Sequence, residues 1–435
     1  MIETIGTGLT VFLLLFTLLA LGVWVPIAMI AASYVALMVF TTVPPGSVLA
    51  TATWGASTEW SLAALPLFIW MGEILYRSRV SDDLFLGLSP WLQRVPGRLV
   101  HVNVLGSGLF AAVSGSSAAT CATIGKISLP ELRQRGYSDN IVIGSLAGSS
   151  TVGFLIPPSI ILIVYGVAVE ESIARLFLAG ILPGIMMLFL FMGYVALWAS
   201  LNPSQMPAAD PVMDFRSRVR ASQRLLPVLA LIVCVIGSIY AGFASPTDAA
   251  AVGVALALLL SWVRGDLTAE AFGVGLMSAV KTACMIATIV VSAAFLTATM
   301  GYTGIPRDLA TWVGGLELDR GFLILALTLI FLLLGCFLDG ISIVLLTAAI
   351  ILPIIEQAGI DLIWFGIYLV LVVEISQITP PIGFNLFVLQ SLTGRDILSV
   401  AKAALPFFFV LLIGLALVSI FPGIVTWLPT VLTAR

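Results

Sequence analysis

The chain has little charge. Of its 435 residues only 9% are Asp, Glu, Lys or Arg, whereas 60% are hydrophobic. This balance excludes a soluble globular domain, because about one quarter of the residues in such domains are charged. Apolar runs of about 18 residues or more recur along the chain, and runs of that length predict transmembrane helices. A β-barrel would instead show short alternating segments. The sequence therefore predicts an all-α polytopic membrane protein.

The residues that catalysis and metal binding require are also scarce. His101 is the only histidine, and the four cysteines lie singly in apolar segments, which fits neither a metal site nor a disulfide framework. No GxxxxGK[ST] loop is present, so the chain does not hydrolyse ATP by that machinery. The Ser-rich run at 114–120 has no base beside it, which argues against a serine hydrolase. We expect neither an enzyme nor a cofactor.

The sequence contains an internal repeat at a constant offset of 223 residues (380 minus 157). Pro157 and Pro158, in LIPPS, correspond to Pro380 and Pro381, in ITPPI. Leu-Pro pairs at 129–130 and 182–183 correspond in the same way to pairs at 352–353 and 405–406. A proline inside a helix removes a hydrogen bond and clashes with the preceding turn. Each Pro-Pro pair therefore predicts a broken membrane helix.

These correspondences divide the chain into two halves and a linker. The first repeat is predicted at 1–200, with a hairpin at about 99–134 and a broken helix at about 138–170. The second repeat is predicted at 225–435, with a hairpin at about 320–356 and a broken helix at about 361–393. The polar, arginine-containing stretch 201–224 between them predicts a cytoplasmic linker.

The basic residues predict that the second half is inverted relative to the first. If each half holds five full spans and one hairpin, the odd number of spans turns the second half upside down, as in secondary transporters. With the linker in the cytoplasm, that side collects Arg77, Arg79, Arg94, Arg98, Arg133, Arg135, Arg216, Arg218, Arg220, Arg224, Arg264, Lys281, Arg395 and Lys402. The other side has Arg175, Arg307, Arg320 and Arg435, and Lys126 lies in a hairpin arm and is not counted. This is a strong positive-inside bias, and it predicts that both termini are periplasmic.

Two segments are predicted to be re-entrant hairpins, the first because both of its ends carry basic residues and the second because it is the repeat mate of the first. Basic residues flank the first, namely Arg94, Arg98, Arg133 and Arg135, and acidic residues flank the second, namely Glu317, Asp319, Glu356 and Asp361. The tips read VSGSSAAT at 113–120 and FLDGIS at 337–342. Backbone without helical hydrogen bonds is tolerated at membrane depth only where it is buried in protein or lines a wet cavity. We therefore expect the tips and the Pro-Pro breaks to meet at an internal site.

The polar groups at the tips and breaks suit a small cation and an anion. Hydroxyls are offered by Ser114, Ser116, Ser117, Ser342, Ser376 and Thr379, although such hydroxyls also serve as helix caps. Asp339, the repeat mate of Ser116, is an acid at predicted membrane depth, where it costs roughly 2.5–3.5 kcal/mol and marks a functional candidate. Glu374, one turn before the second break, is a further candidate. Helix N-termini at the breaks suit an anionic group.

Four motifs carry a resemblance to a known family. They are SGSSAATCATIGKISLPELRQRGY (114–137), LIPPSIILIVYGVAVEESIARLFLAGILPG (155–184), SPTDAAAVG (245–253) and ITPPIGFNLFV (378–388). Together they resemble the large membrane subunit (M, DctM- or SiaM-like) of TRAP transporters, over essentially the whole chain.

The resemblance implies a system in the inner membrane of bacteria or archaea. Its partners would be a separate small four-helix subunit (Q) and a periplasmic binding protein. It also implies import of an organic acid, such as a C4-dicarboxylate or sialic acid, by a Na⁺-driven elevator mechanism.

The same resemblance implies two Na⁺ sites and no other metal or cofactor, each site between a hairpin tip and its neighbouring broken helix. Site 1 would use Ser114, Ser116, Gly153, Ile156 and Pro158, partly through backbone carbonyls. The offset of 223 carries the last three onto Ser376, Thr379 and Pro381, which with Asp339 would form site 2. Ser376 stands where the family often has glycine. The adjoining substrate region would comprise Ser117, Pro157, Gly340, Ser342, Pro380 and Asn385.

Two other functions remain open from the sequence. A Na⁺/anion symporter of the wider ion-transporter superfamily would share the hairpins and the inverted repeat but would work without a binding protein. A passive channel would need neither ion coupling nor a moving domain. The substrate is not identified, because in the resembling systems the binding protein, a separate chain, holds most of the selectivity.

Overall fold

The computed structural model describes residues 2–208, 213–316, 318–381 and 383–433, and these residues form helices and no strands. Glu317 and Arg435, used in the topology prediction, and residues 209–212 of the predicted linker lie outside them. The described α-helices are α1 (Ile2–Ala20), α2 (Val25–Phe40), α3 (Pro45–Thr58), α4 (Ala64–Tyr76), α5 (Val80–Leu92), α6 (Val100–Ser114), α7 (Ser117–Gln134), α8 (Asp139–Thr151), α9 (Ile160–Ala168), α10 (Ile173–Leu201), α11 (Phe215–Ser222), α12 (Leu226–Tyr240), α13 (Pro246–Val263), α14 (Ala269–Thr303), α15 (Ile305–Gly315), α16 (Arg320–Gly335), α17 (Gly340–Gln357), α18 (Leu362–Ser376), α19 (Phe384–Thr393), α20 (Ile397–Ile420) and α21 (Gly423–Thr433).

Several of these helices are long and apolar enough to cross a membrane. By length and composition they are Ile173–Leu201, Phe215–Tyr240, Pro246–Val263, Ala269–Thr303 and Ile397–Ile420. Gly340–Gln357 joins them if its two bent segments are counted as one span. Other apolar helices have only 10–17 residues, too few for a hydrocarbon core that needs about 20. The prediction of an all-α polytopic membrane protein is confirmed.

The helices form two packing groups. In the first, α14 packs against α2, α3 and α4, and α13 packs against α4 and α12. In the second, α6, α7 and α8 pack together, α20 packs against α8, α10 and α18, and α19 packs against α7. The groups meet where α4 contacts α6 and α9 and where α14 contacts α17. The predicted hairpins and broken helices therefore belong mainly to the second group.

Two helices at the centre of the second group are buried on every side. Residues Ile363–Ser376 of α18 and Ile141–Thr151 of α8 are all buried, as expected for helices that show no amphipathic stripe. Gly144 and Gly148 let α8 approach α20 closely. A Cβ at Gly144 would lie 2.3 Å from the Ala403 carbonyl oxygen, and one at Gly148 would lie 2.7 Å from Phe407 Cβ. The GxxxG spacing here serves close helix packing.

Part of the predicted linker is ordered and helical. Residues 215–222 form α11, a 3₁₀ turn follows at 223–225, and the chain continues into α12. The Trp91 indole on α5 donates a 2.6 Å hydrogen bond to the Ser222 hydroxyl, and its ring meets Phe215 edge-on. Apolar and aromatic side chains thus dock this segment onto α5. The prediction from its polarity alone did not include this packing.

Candidate ion and substrate site

The first hairpin tip is a two-residue connection between α6 and α7. Gly115 ends α6 in the left-handed region (φ 60°), and Ser116 is the N-cap of α7, accepting a hydrogen bond from the Ala119 amide at 3.4 Å. The Thr120 hydroxyl donates to the Ser116 carbonyl at 2.8 Å and lies 2.9 Å from the Ser114 hydroxyl. Three oxygen-bearing residues, Ser114, Ser116 and Thr120, are therefore concentrated at this turn.

The first Pro-Pro break packs directly on this tip. After α8 and a 3₁₀ turn at 152–154, the chain passes through Pro157 and Pro158, whose shared peptide bond is cis, to α9. A Cβ at Gly153 would come within 3.0 Å of the Ser116 carbonyl, and one at Gly115 would lie 2.5 Å from the Pro158 carbonyl oxygen. The Ile160 amide donates to the Gly115 carbonyl at 3.4 Å. The structure thus brings Ser114, Ser116, Gly153 and Pro158 together.

The remaining predicted residues near the first break have different surroundings. Pro157 is buried, and Ile156 is half-buried with its side chain against Gly184. The Ser159 hydroxyl caps α9, accepting from the Leu162 amide at 3.3 Å while donating to the Phe154 carbonyl. The short break leaves its main-chain carbonyls outside a regular helix, where they are available to an ion.

The second hairpin tip places a carboxylate at the start of α17. Asp339 is the N-cap and accepts hydrogen bonds from the amides of Ile341 at 3.1 Å and Ser342 at 3.2 Å, and from the Ser342 hydroxyl. No hydrogen bond joins Asp339 to Ser376, Thr379 or Pro381 within the described part of the chain. The capping contacts show how the acid is held, and its remaining lone pairs stay available to a cation.

The second break also approaches its tip. Between α18 and α19 the chain passes through Pro380 and Pro381, whose shared peptide bond is again cis. The Cys336 thiol donates to the Pro380 carbonyl at 3.5 Å, and a Cβ at Gly335 would lie 2.2 Å from Ser376 Cβ. The Thr379 hydroxyl donates to the Ile375 carbonyl at 2.7 Å. The contact between tip and break therefore uses Cys336, which the sequence reasoning did not select.

The two tip–break pairs differ in exposure. Gly153, Pro157 and Pro158 are buried in the first. In the second, Asp339, Pro380 and Pro381 are exposed. The second pair therefore lies nearer the surface of the described structure than the first. The two tip–break pairs are therefore not equivalent, as the replacement of Ser116 by Asp339 in the repeat also indicates.

The substrate-region residues do not form one open pocket. Ser117 and Asn385 are fully buried and in contact: Asn385 Nδ2 donates to the Ser117 hydroxyl at 2.7 Å and to the Ser150 hydroxyl at 3.1 Å. Asn385 Oδ1 has no hydrogen-bond partner in the described residues. Gly340 lies against Val373 and Ile161, where a Cβ would clash at 2.6 Å with the valine. Ser342 is buried beneath the Asp339 cap.

A buried polar contact that the sequence reasoning missed lies between the two breaks. Glu374 and Thr151 are both completely buried, and the Thr151 hydroxyl, which donates to the Gly148 carbonyl at 2.8 Å, lies 3.4 Å from Glu374 Oε2. Glu374 Oε1 has no partner in the described residues. The internal repeat could have identified this pair, because the offset of 223 carries Thr151 onto Glu374. Thr151 escaped notice because an isolated threonine in an apolar helix has no distinctive pattern.

The chain is similar to known proteins over most of its length. Residues 12–424 match the family model of the tripartite ATP-independent periplasmic transporter, DctM component. The chain is 33% identical to the C4-dicarboxylate TRAP transporter large permease protein DctM of Pseudomonas aeruginosa, over 86% of this chain and 87% of that protein. It is 32% identical to the ectoine TRAP transporter large permease protein TeaC of Halomonas elongata, over 85% and 86%. It is 30% identical to the sialic acid TRAP transporter large permease protein SiaM of Vibrio cholerae, over 86% and 87%.

The fold also resembles a solved structure. The YdaH transporter of Alcanivorax borkumensis, described as having an unusual topology, superposes with a TM-score of 0.62 at 14% identity. The match covers 86% of this chain and 88% of that chain. At this identity the likeness concerns the fold alone.

Proposed function

The chain belongs to the DctM family of TRAP transporter large permease proteins, and from this membership we propose that it imports an organic acid by Na⁺-coupled symport. The family confirms the resemblance read from the four motifs. Because the matched relatives are permease subunits, the expectation that the chain is not an enzyme is confirmed as well.

One observation carries the Na⁺ proposal. The Pro158 carbonyl and the Ser116 carbonyl both face the opposite backbone so closely that a Cβ at Gly115 or Gly153 would lie 2.5–3.0 Å from them. Hard cations without strong ligand-field preferences bind oxygen donors, and carbonyls freed by broken membrane helices coordinate Na⁺ in secondary transporters. Site 1 would use Ser114, Ser116, Gly153, Ile156 and Pro158, and site 2 would use Asp339, Ser376, Thr379 and Pro381.

The proposed substrate is a carboxylate-bearing organic acid. The relatives at 33%, 32% and 30% identity are named for C4-dicarboxylate, ectoine and sialic acid, so overall identity does not select among them. Two of the three names denote acids, and the N-termini of α7, α9 and α17 next to the breaks offer positive dipole ends to an anion. Ser117 and Asn385 would supply hydrogen bonds to it, beside Pro157, Gly340, Ser342 and Pro380.

The proposed system is a three-part assembly in the inner membrane. The large subunit would join a small four-helix membrane subunit and receive its substrate from a periplasmic binding protein. The tip and break elements of the second packing group would move together past the first group, as in an elevator. The orientation proposed from the positive-inside bias places both chain termini in the periplasm.

Uptake in vesicles tests this assignment. The chain is reconstituted with its small subunit, and accumulation of labelled C4-dicarboxylate and sialic acid is measured with and without the cognate binding protein. We expect accumulation only when the binding protein is present. Equal accumulation without it would assign the chain to the binding-protein-independent symporters instead, and accumulation that never exceeds the external concentration would indicate a channel.

A further inference from the structure

A cavity of about 430 Å³ lies away from the tips and breaks, where α8 begins, α10 ends and α20 begins. The charged side chains that line it are Arg395 and Lys402, and no carboxylate lines it within the described residues. Ser138, Asn140 and Ser399 add polar groups. The cavity therefore presents positive charge and hydrogen-bond donors with no built-in anion.

The positive charge at this cavity is only partly neutralised by the nearby carboxylates of Asp139 and Asp396. The Asp139 carboxylate accepts from Arg133 Nε at 2.9 Å and from Arg395 Nη2 at 2.8 Å, so one negative charge is shared by two guanidinium groups. Lys402 is exposed and has no ion pair within 4 Å in the part of the chain that is described. Asp396 turns its carboxylate to the Ser399 amide and hydroxyl, at 2.9 and 2.7 Å, and does not line the cavity.

The backbone adds to this preference for an anion. Ser138 is the N-cap of α8, and its side chain makes no capping hydrogen bond. The first amides of α8 therefore have no helical acceptor and no cap at the wall of the cavity, and they lie at the positive end of the helix dipole. Asn140 Oδ1 accepts from Arg395 Nη1 at 3.2 Å, which holds the guanidinium at this helix end.

The other wall of the cavity is apolar and aromatic. Tyr194 and Trp198, near the end of α10, face Phe407 on α20, and the Tyr194 and Phe407 rings meet edge-on at 4.9 Å. Both α10 and α20 are long enough to cross a membrane, so the cavity lies at a membrane–water interface. Trp and Tyr concentrate at that level in membrane proteins. A ligand here would have a charged head and an apolar body.

We infer that this cavity binds the phosphate headgroup of an anionic phospholipid, with Lys402 and Arg395 on the phosphate and α10 beside an acyl chain. Basic pockets between membrane helices are suited to such headgroups. The leaflet would be cytoplasmic if the proposed orientation holds. The binding itself does not depend on the proposed transport function, because it rests on a cavity remote from the tips and breaks.

The experiment compares lipid binding by the purified full chain and its charge variants. Native mass spectrometry and thermal unfolding in detergent are followed while phosphatidylglycerol, phosphatidylcholine or inorganic phosphate is added. We expect phosphatidylglycerol to bind and to raise the unfolding temperature, and phosphatidylcholine and inorganic phosphate to have little effect. Lys402→Gln should weaken phosphatidylglycerol binding about fivefold, the contribution of one basic residue at an anionic surface, and Lys402→Arg should restore it.

Lys281→Gln is the matched control, since Lys281 is also exposed and lies on α14, outside the cavity. It should bind phosphatidylglycerol like the parent chain. Equal weakening by both variants, or no weakening by Lys402→Gln, would overturn the inference. If inorganic phosphate alone raised the unfolding temperature, and Lys402→Gln abolished that rise, the lipid assignment would be overturned and the ligand would be a soluble phosphate. Circular dichroism of each variant verifies that it is folded.

Discussion

The Thr151 hydroxyl lies 3.4 Å from Glu374 Oε2, within hydrogen-bond distance, and these two residues are separated by the same 223 positions that relate the Pro-Pro pairs. Equivalent residues of two repeats touch each other only near the axis that relates the repeats. The contact thus supports the proposed internal repeat, and it places the ends of α8 and α18 side by side just before their breaks.

Replacing Thr151 with valine should destabilise the protein. The change keeps the volume but leaves the Glu374 carboxyl without a partner in the described structure, at a cost of about 1–3 kcal/mol. Thermal unfolding in detergent measures the effect. Thr299→Val is the control, because Thr299 is also fully buried but bonds only to the Phe295 carbonyl of its own helix. Equal losses in both variants would show that the Glu374 contact contributes nothing.

Asp339→Asn should weaken Na⁺ activation of uptake by at least tenfold. Asparagine caps a helix about as well as aspartate, so α17 should remain intact. The substitution removes the negative charge of Asp339. The attraction between two nearby unit charges of opposite sign is worth roughly 4 kcal/mol at a protein surface, and part of that attraction for Na⁺ would be lost. The Na⁺ concentration for half-maximal uptake is measured.

The matched control for that experiment is Asp361→Asn. Asp361 is also an exposed N-cap and accepts from the Trp364 amide at 2.7 Å, but it lies at the far end of α18 from the second break. Its Na⁺ dependence should match the parent chain. An unchanged Na⁺ dependence in Asp339→Asn would remove Asp339 from site 2.

Gly153→Ala should lower Na⁺-driven uptake. The new Cβ would lie 3.0 Å from the Ser116 carbonyl and 3.1 Å from the Ser117 amide, so the backbone of the first tip must shift by a few tenths of an ångström, which would disturb the carbonyls assigned to site 1. Gly193→Ala on α10 provides the comparison, since nothing lies within 4 Å of its added Cβ and alanine favours a helix by up to about 1 kcal/mol. Parental uptake in Gly153→Ala would argue against a closely packed site 1.

Asn385→Ala should lower substrate uptake about tenfold, which corresponds to about 1.4 kcal/mol. The substitution removes the amide that donates hydrogen bonds to Ser117 and Ser150. It also removes the buried Oδ1 that we assign to the substrate. Asn202→Ala, which loses only a 2.9 Å bond to the Trp198 carbonyl, should transport normally. If both variants transported equally well, Asn385 would have no place in the substrate region.

The sequence predicted well those features that backbone chemistry imposes. Paired prolines cannot continue a helix, and α8 and α18 each end before a Pro-Pro pair. The helical hairpin of α6 and α7 turns at Gly115, a position with positive φ that favours glycine.

Contacts between distant segments could not be predicted in this way. The approach of Asn385 to Ser117 joins residues 268 positions apart, and nothing in either local sequence specifies the other. Cys336 reaches the Pro380 carbonyl although cysteine gives no clear signal in an apolar run. The docking of Phe215 on Trp91 was hidden because the surrounding stretch is polar. Such pairings follow from the packing of whole helices, which the periodicity of one segment does not determine.

Na⁺ coupling is tested most directly by uptake of a labelled organic acid into vesicles that contain the chain, its small subunit and its binding protein, with an inward Na⁺ gradient imposed or absent. Na⁺-coupled symport predicts accumulation above the external concentration with the gradient and none when Na⁺ is equal on both sides. Accumulation that persists undiminished without a Na⁺ gradient would contradict it.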